Sequence, residues 1–194
     1  MMKNDETFRI LVVDDNKELR EILEEFLKAD GHHVEGSPNG RDALERHQKS
    51  RFDLIITDLN MPGISGMELI KTIRKEDQDT EFVIITGYAS MDTAVEAVRI
   101  GAFDYIVKPF RMEELHVVVK NARDKVTLKK LNAKLVQTLQ SFYDEMDRYR
   151  KKRSDETGPR ETAASDTGQQ SDTEKIVDEI RDLEKLRKGR LLIE

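Results

Sequence analysis

The sequence predicts an α/β fold: a doubly wound, five-stranded parallel sheet, followed by a long helix, a disordered linker and a short helix. Three observations predict it. Short runs rich in Ile and Val recur through the first 110 residues. Between them, apolar residues return every three or four positions. Beyond residue 110 that helical spacing continues with no Gly or Pro between residues 111 and 153. Alternation of strand and helix is the signature of βαβ units, and runs that are apolar throughout suit strands buried on both faces.

Four strand-like runs are clear: FRILVV (8–13), FDLIIT (52–57), EFVIIT (81–86) and DYIVKP (104–109). A weaker run at 33–37 fits an edge strand. The first helix spans 18–29, with Leu19, Ile22, Leu23, Phe26 and Leu27 on one stripe and Gly31 closing it. The second, 40–49, follows Asn39, a residue suited to cap it. The third, 66–76, carries Met67, Leu69, Ile70 and Ile73, and the fourth, 91–100, stops at Gly101. Five such units in this length suit the flavodoxin-like strand order 2-1-3-4-5.

The helix that begins at Arg111 outlasts any single domain of this size. Apolar residues recur at Val126, Leu128, Leu131, Leu135, Leu139, Phe142, Met146 and Tyr149, in steps close to a heptad with one stutter. Residues 154–172 contain no large apolar side chain and read as a linker. Residues 173–188 form a short charged helix with Ile176, Ile180, Leu183 and Leu186 on one side. The expected organisation is therefore a domain over 1–124, a coiled-coil-like extension over 125–153, a disordered linker over 154–172 and a C-terminal helix within 173–194.

Composition narrows the functional classes. Charged residues equal hydrophobic ones at 37% each, so part of the chain lies outside a core. The absence of cysteine removes disulfides and thiolate chemistry. The polar start MMKNDETF is not a secretory leader, and no apolar run approaches a membrane span, so the expected location is the cytoplasm. Charge is partitioned: residues 1–110 hold 14 Lys and Arg against 22 Asp and Glu, whereas residues 111–153 hold 12 against 6. The basic run RYRKKR (148–153) could touch nucleic acid, but Lys and Arg at a helix C-terminus also complement its dipole. Nucleic acid is not the expected partner. His47 and His116 show no partner pattern and read as surface or packing residues.

In a parallel α/β sheet, ligands sit beyond the carboxyl ends of the strands. Those ends carry Asp14 and Asp15 after the first strand, Asp58 after the third, Thr86 at the fourth and Lys108 after the fifth. Singly, each has an ordinary explanation: Asp14 and Asp15 could cap the next helix, Asp58 could be a turn residue, and Lys108 a solvated charge. Together they place three carboxylates on one rim, where repulsion calls for a divalent cation. Hard oxygen ligands point to Mg²⁺. The lysine adds a compact positive charge for a phosphoryl oxygen, and the threonine a hydroxyl.

The segments LVVDDN (11–16), TDLNMPGISGMEL (57–69), ITGYAS (85–90) and AFDYIVKPF (102–110) resemble those of the CheY-like receiver domains of two-component response regulators. The resemblance covers about residues 7–124. It implies that Asp58 accepts the phosphoryl group. It implies that Asp14, Asp15, Asp58 and the backbone carbonyl of Asn60 hold Mg²⁺, with Asp15 the direct ligand and Asp14 acting through water. Thr86 and Tyr105 match the switch pair, Lys108 the phosphate-binding lysine, and Pro109 a position commonly preceded by a cis peptide. The expected protein is a phospho-switch that is not a conventional enzyme but catalyses its own phosphoryl transfer and hydrolysis. Its expected partners are a sensor histidine kinase, a downstream protein reached without a DNA-binding output domain, and a second copy of the chain through 125–153. The alternatives are a receiver used as a passive scaffold, or a transcription-linked regulator acting through its basic helix end.

Overall fold

The computed structural model of the chain describes residues 7–156, with side-chain environments for 7–152. Five parallel strands form one sheet: β1 (Arg9–Val13), β2 (His33–Ser37), β3 (Leu54–Thr57), β4 (Glu81–Thr86) and β5 (Asp104–Val107). Their order is β2-β1-β3-β4-β5, as the alternation predicts, with β2 on one edge. The helices are α1 (Lys17–Ala29), α2 (Gly40–Lys49), α3 (Gly66–Glu76), α4 (Met91–Arg99) and α5 (Met112–Glu156).

Alternation of side chains along each strand divides the core into two layers. Ile10, Val12, Leu54, Ile56, Val83, Ile85 and Ile106 share one cluster with Leu23 and Leu27 of α1 and with Leu115, Val118, Val119, Ala122 and Val126 of α5. Leu11, Val13, Ile55, Phe82 and Ile84 share the other with Ala43, Leu69, Ile70, Ile73 and Ala97 of α2, α3 and α4. Each fully buried Leu, Ile or Phe contributes about 1.5–3 kcal/mol. The central strands β3 and β4 are buried at every position, as their uninterrupted apolar runs require.

Helix starts follow from local chemistry. Asn39 caps α2 by accepting the Asp42 N–H, as expected. Asn16 caps α1, accepting the Leu19 N–H, so the acidic pair Asp14–Asp15 is not spent on capping. Ser65 and Glu68 close a capping box on α3, and Ser90 with Thr93 does the same on α4. Gly31 and Gly101 take positive φ after α1 and α4, where a side chain would be strained.

The end of the long helix shifts. The helix begun at 111–112 runs to Glu156, so residues 154–156, read as the start of a linker, are helical. Continuous helical spacing and the absence of a breaker carry the backbone through. The remainder of the expected linker and the 173–194 helix lie outside the described residues. The chain divides into two compact units between Gln140 and Ser141, the first containing the sheet. Core packing on α5 reaches Val126. Among the described residues, no helix is long and apolar enough to cross a membrane.

The reading of His47 is corrected. Its burial fits the packing alternative, but it has a partner that was not expected: Nε2 lies 3.2 Å from Asp77 Oδ2, while Nδ1 accepts the Phe52 N–H at 3.4 Å. That acceptor role selects the neutral ring protonated at Nε2. The two residues stand 30 positions apart, so no local pattern announces the pair. His116 is exposed but also meets a carboxylate, Asp30, at 2.5 Å. Burial lowers the pKa of His47 from its ordinary 6.5, against the opposing pull of Asp77. The folded state therefore binds this proton more weakly than the unfolded chain does. Its contribution to stability is full above about pH 6.5 and is lost as pH falls through that value toward the folded pKa. We expect the urea midpoint to drop as pH is lowered from about 7.5 to about 5.5, and His47→Gln to flatten that dependence. A variant as pH-sensitive as the wild-type chain would assign the effect to another group.

Candidate functional site

The carboxyl ends of β1, β3, β4 and β5 meet on one rim because β1, β3, β4 and β5 are neighbours in the sheet. Backbone bonds fix each contributor as it leaves its strand. The Asp14 N–H donates to Ser37 O at 3.2 Å, Asp58 N–H to Val13 O at 3.0 Å, and Lys108 N–H to Thr86 O at 2.9 Å. The peptide between Lys108 and Pro109 is cis, as the motif implied.

The side chains converge on the lysine. Lys108 Nζ donates to Asp14 Oδ2 at 2.8 Å and to Asp58 Oδ2 at 2.6 Å, joining residues 94 and 50 positions away. Each carboxylate's other oxygen accepts a backbone N–H two residues on: Asn16 to Asp14 Oδ1 at 2.8 Å, and Asn60 to Asp58 Oδ1 at 3.1 Å. These short turns hold both carboxylates in one orientation. Burial acts to lower the Lys108 pKa, but its hydrogen bonds to Asp14 and Asp58 outweigh that and raise it. The lysine stays charged, which is what two nearly buried carboxylates require. Asp14 is 3% exposed and Asp58 8%, so only a small opening reaches their carboxylate oxygens.

Asp15 and Asn60 are exposed at the same strand ends. The three carboxylates thus do not converge as a triad: two share the lysine, and the third faces solvent. Among the described residues no group of three or more His, Cys, Asp or Glu is placed to hold a metal ion. The donor chemistry nevertheless suits a divalent cation, because Asp14, Asp15 and Asp58 stand at the ends of two adjacent strands and offer hard oxygen ligands. Both inner carboxylates also keep lone pairs beyond the bonds named above.

Thr86 ends β4 fully buried, its Oγ1 accepting the Tyr88 N–H at 3.1 Å. Tyr105 is half-buried against the second core layer, and its hydroxyl lies 2.9 Å from Thr93 Oγ1 on α4. Thr93 is a contact the sequence reading missed. So is Gly66. A Cβ there would stand 2.1 Å from the Asp58 carbonyl oxygen and 3.1 Å from Thr57 Oγ1. Only glycine lets the start of α3 come this close to the backbone of Asp58, and the Gly66 N–H donates to Leu59 O at 3.0 Å. The SGM that carries it was legible as part of a motif, but its reason is a contact made in three dimensions.

Fold and site together define a receiver. The family model of the response regulator receiver domain matches residues 10–120, more than half of the chain, and the chain belongs to that family. It is similar to the sporulation initiation phosphotransferase F of Bacillus subtilis, with 33% identity over 112 residues covering 58% of this chain and 90% of that protein. It is similar to the regulatory protein AtoC of Escherichia coli, with 36% identity over 135 residues covering 70% of this chain but 29% of that protein. Among solved structures it is similar to the response regulator TrrA of Thermotoga maritima in complex with Mg²⁺ and BeF, at 38% identity and a TM-score of 0.54, covering 59% of this chain and 97% of that one.

Gly66→Ala should destabilise the domain by roughly 1–3 kcal/mol, the usual cost of overpacking, because a backbone oxygen cannot move aside as a side-chain tip can. Urea unfolding measures it. An unchanged midpoint would mean that α3 can shift away from Asp58 without penalty.

Proposed function

We propose that this chain is a phosphorylation-controlled switch that takes a phosphoryl group on Asp58 from a sensor histidine kinase and signals through protein contacts. The observation that carries the reading is the Lys108 ammonium bridging Asp14 and Asp58 at 2.8 and 2.6 Å. Asp58 is the inner carboxylate at the end of the central strand β3. Its oxygen attacks phosphorus, the phosphorus–nitrogen bond of the donor breaks, and the electron pair remains on the donor imidazole. Lys108 is already placed to meet the negative charge that spreads over the phosphoryl oxygens, so little reorganisation is needed. Asp14, Asp15, Asp58 and the Asn60 carbonyl would hold Mg²⁺, which when bound supplies charge neutralisation for the incoming phosphoryl group.

The switch follows from Thr86 and Tyr105. A phosphoryl group on Asp58 offers the Thr86 hydroxyl a charged acceptor in place of its present role toward the Tyr88 N–H. Movement of Thr86 opens space beside β4, and Tyr105 can exchange its Thr93 contact for that space, a shift between two populated states. The adjoining surface carries Tyr88, Met91 and Val98 at 70, 80 and 77% exposure, suited to a protein partner.

Output through the extension rests on α5. Leu128, Leu131, Leu135 and Leu139 are all exposed, at 39–61%, in steps of three and four residues. Covering several such side chains at about 1.5–3 kcal/mol each can exceed the entropy of association. A helix-mediated homodimer is the form these residues favour. The chain spans under a third of AtoC but nine tenths of phosphotransferase F, so relatives of both architectures exist, and the signalling route here is part of the proposal.

Asp58→Asn should fold normally and take no phosphoryl group. Intact mass after incubation with acetyl phosphate and Mg²⁺ reads this directly, and equal incorporation in the two proteins would overturn the assignment of Asp58. Replacing Leu131 and Leu135 with Asp should give a monomer that still accepts phosphate. Light scattering that finds the wild-type chain monomeric at tens of micromolar, phosphorylated or not, would reject the homodimer.

A further inference from the structure

Glu81 opens β4 at the amino edge of the sheet, five residues before Thr86 at the other end of the strand. Its side chain is 1% exposed and carries a carboxylate. Three cations from two helices meet it. Arg74 Nη2 of α3 lies 3.7 Å from Oε2, Lys125 Nζ of α5 lies 3.0 Å from Oε2, and Lys129 Nζ, one turn further along α5, lies 3.0 Å from Oε1. The neighbouring Lys130 Nζ reaches Asp53 Oδ1, just before β3, at 2.9 Å.

Arg74 has other commitments. It donates to Thr80 O at 2.7 Å and Gly101 O at 3.0 Å, and its guanidinium lies over the Phe82 ring at 4.8 Å. It is part of the receiver's frame. Lys125 and Lys129 are 47 and 42% exposed, and they come from the part of α5 where apolar packing ends. Val126 is the last α5 residue in the core, and the next large apolar side chain, Leu128, is 58% exposed. A buried carboxylate is tolerated only with cations beside it, and two of those beside Glu81 come from α5.

We propose that Glu81, Arg74, Lys125 and Lys129 form an electrostatic clamp that seats the first turns of the helical extension on the amino edge of the sheet, carrying the contact from the last core residue, Val126, to Lys129 beyond it. The clamp fixes how α5 leaves the domain and ties it to the strand whose far end is Thr86. It opens from the lysine side, because the lysines are reached by water and Glu81 is not. This inference is independent of the phosphoryl chemistry, which lies at the opposite edge.

Hydrogen exchange on the full chain tests it. In Glu81→Gln, protection of amides 127–134 should fall about tenfold, which corresponds to the loss of one charge-assisted seat, while amides of β1 and β3 keep theirs and Asp58 still accepts phosphate. Lys129→Met, at a half-exposed position, should lower protection at 127–134 alone. If Glu81→Gln loosens the whole sheet, the lysine variant decides. Protection at 127–134 that is unchanged in Lys129→Met, or lost equally across the sheet, overturns the clamp.

Discussion

Two carboxylates, 3 and 8% exposed, sit at the ends of adjacent strands, and one ammonium group makes that arrangement possible. Without Lys108, Asp14 and Asp58 would face each other across a poorly solvated gap with no cation between them. With it, both are bridged and fixed, each held from its second oxygen by a backbone N–H. The surroundings follow from this constraint. The order β2-β1-β3-β4-β5 sets the first and third strands side by side, and β5 supplies the cation by way of its last turn. Gly66 brings α3 against the backbone of Asp58. A rim built this way holds its charged groups in positions set by the fold itself.

The amino edge of the same sheet carries the inverse arrangement: one buried carboxylate, Glu81, among several cations. At the carboxyl edge the excess is negative and suits a dication and a phosphoryl group. At the amino edge the excess is positive and is spent on holding a helix. β4 runs from one to the other, with Glu81 at its start and Thr86 at its end. α5 changes character along its length, from core helix through Val126 to a helix whose leucines face solvent. The basic balance of residues 111–153, which on sequence alone could be taken for a nucleic-acid patch, is thereby divided. Lys125, Lys129 and Lys130 are engaged by the receiver's own acids.

The sequence by itself determined the elements and the identity of the rim residues. Short apolar runs and period-three-to-four spacing are local, as are capping by Asn39 and helix closure at Gly31, so these were legible without coordinates. Asp14, Asp58, Thr86 and Lys108 could be found because strand ends in a parallel sheet point to one rim. Tertiary structure decided what each of them touches. Asp15, adjacent to Asp14 in sequence, is turned to solvent while Asp14 is drawn in. Asn16 takes the capping role that the acids could have filled. His47 finds Asp77, Tyr105 finds Thr93, Gly66 is required by a carbonyl eight residues earlier, and Glu81 collects lysines more than 40 residues away. These are contacts between elements whose spacing in sequence carries no period. The free energy that selects them, the avoidance of an unpaired buried charge or of two atoms in one place, exists only once the chain has closed around them.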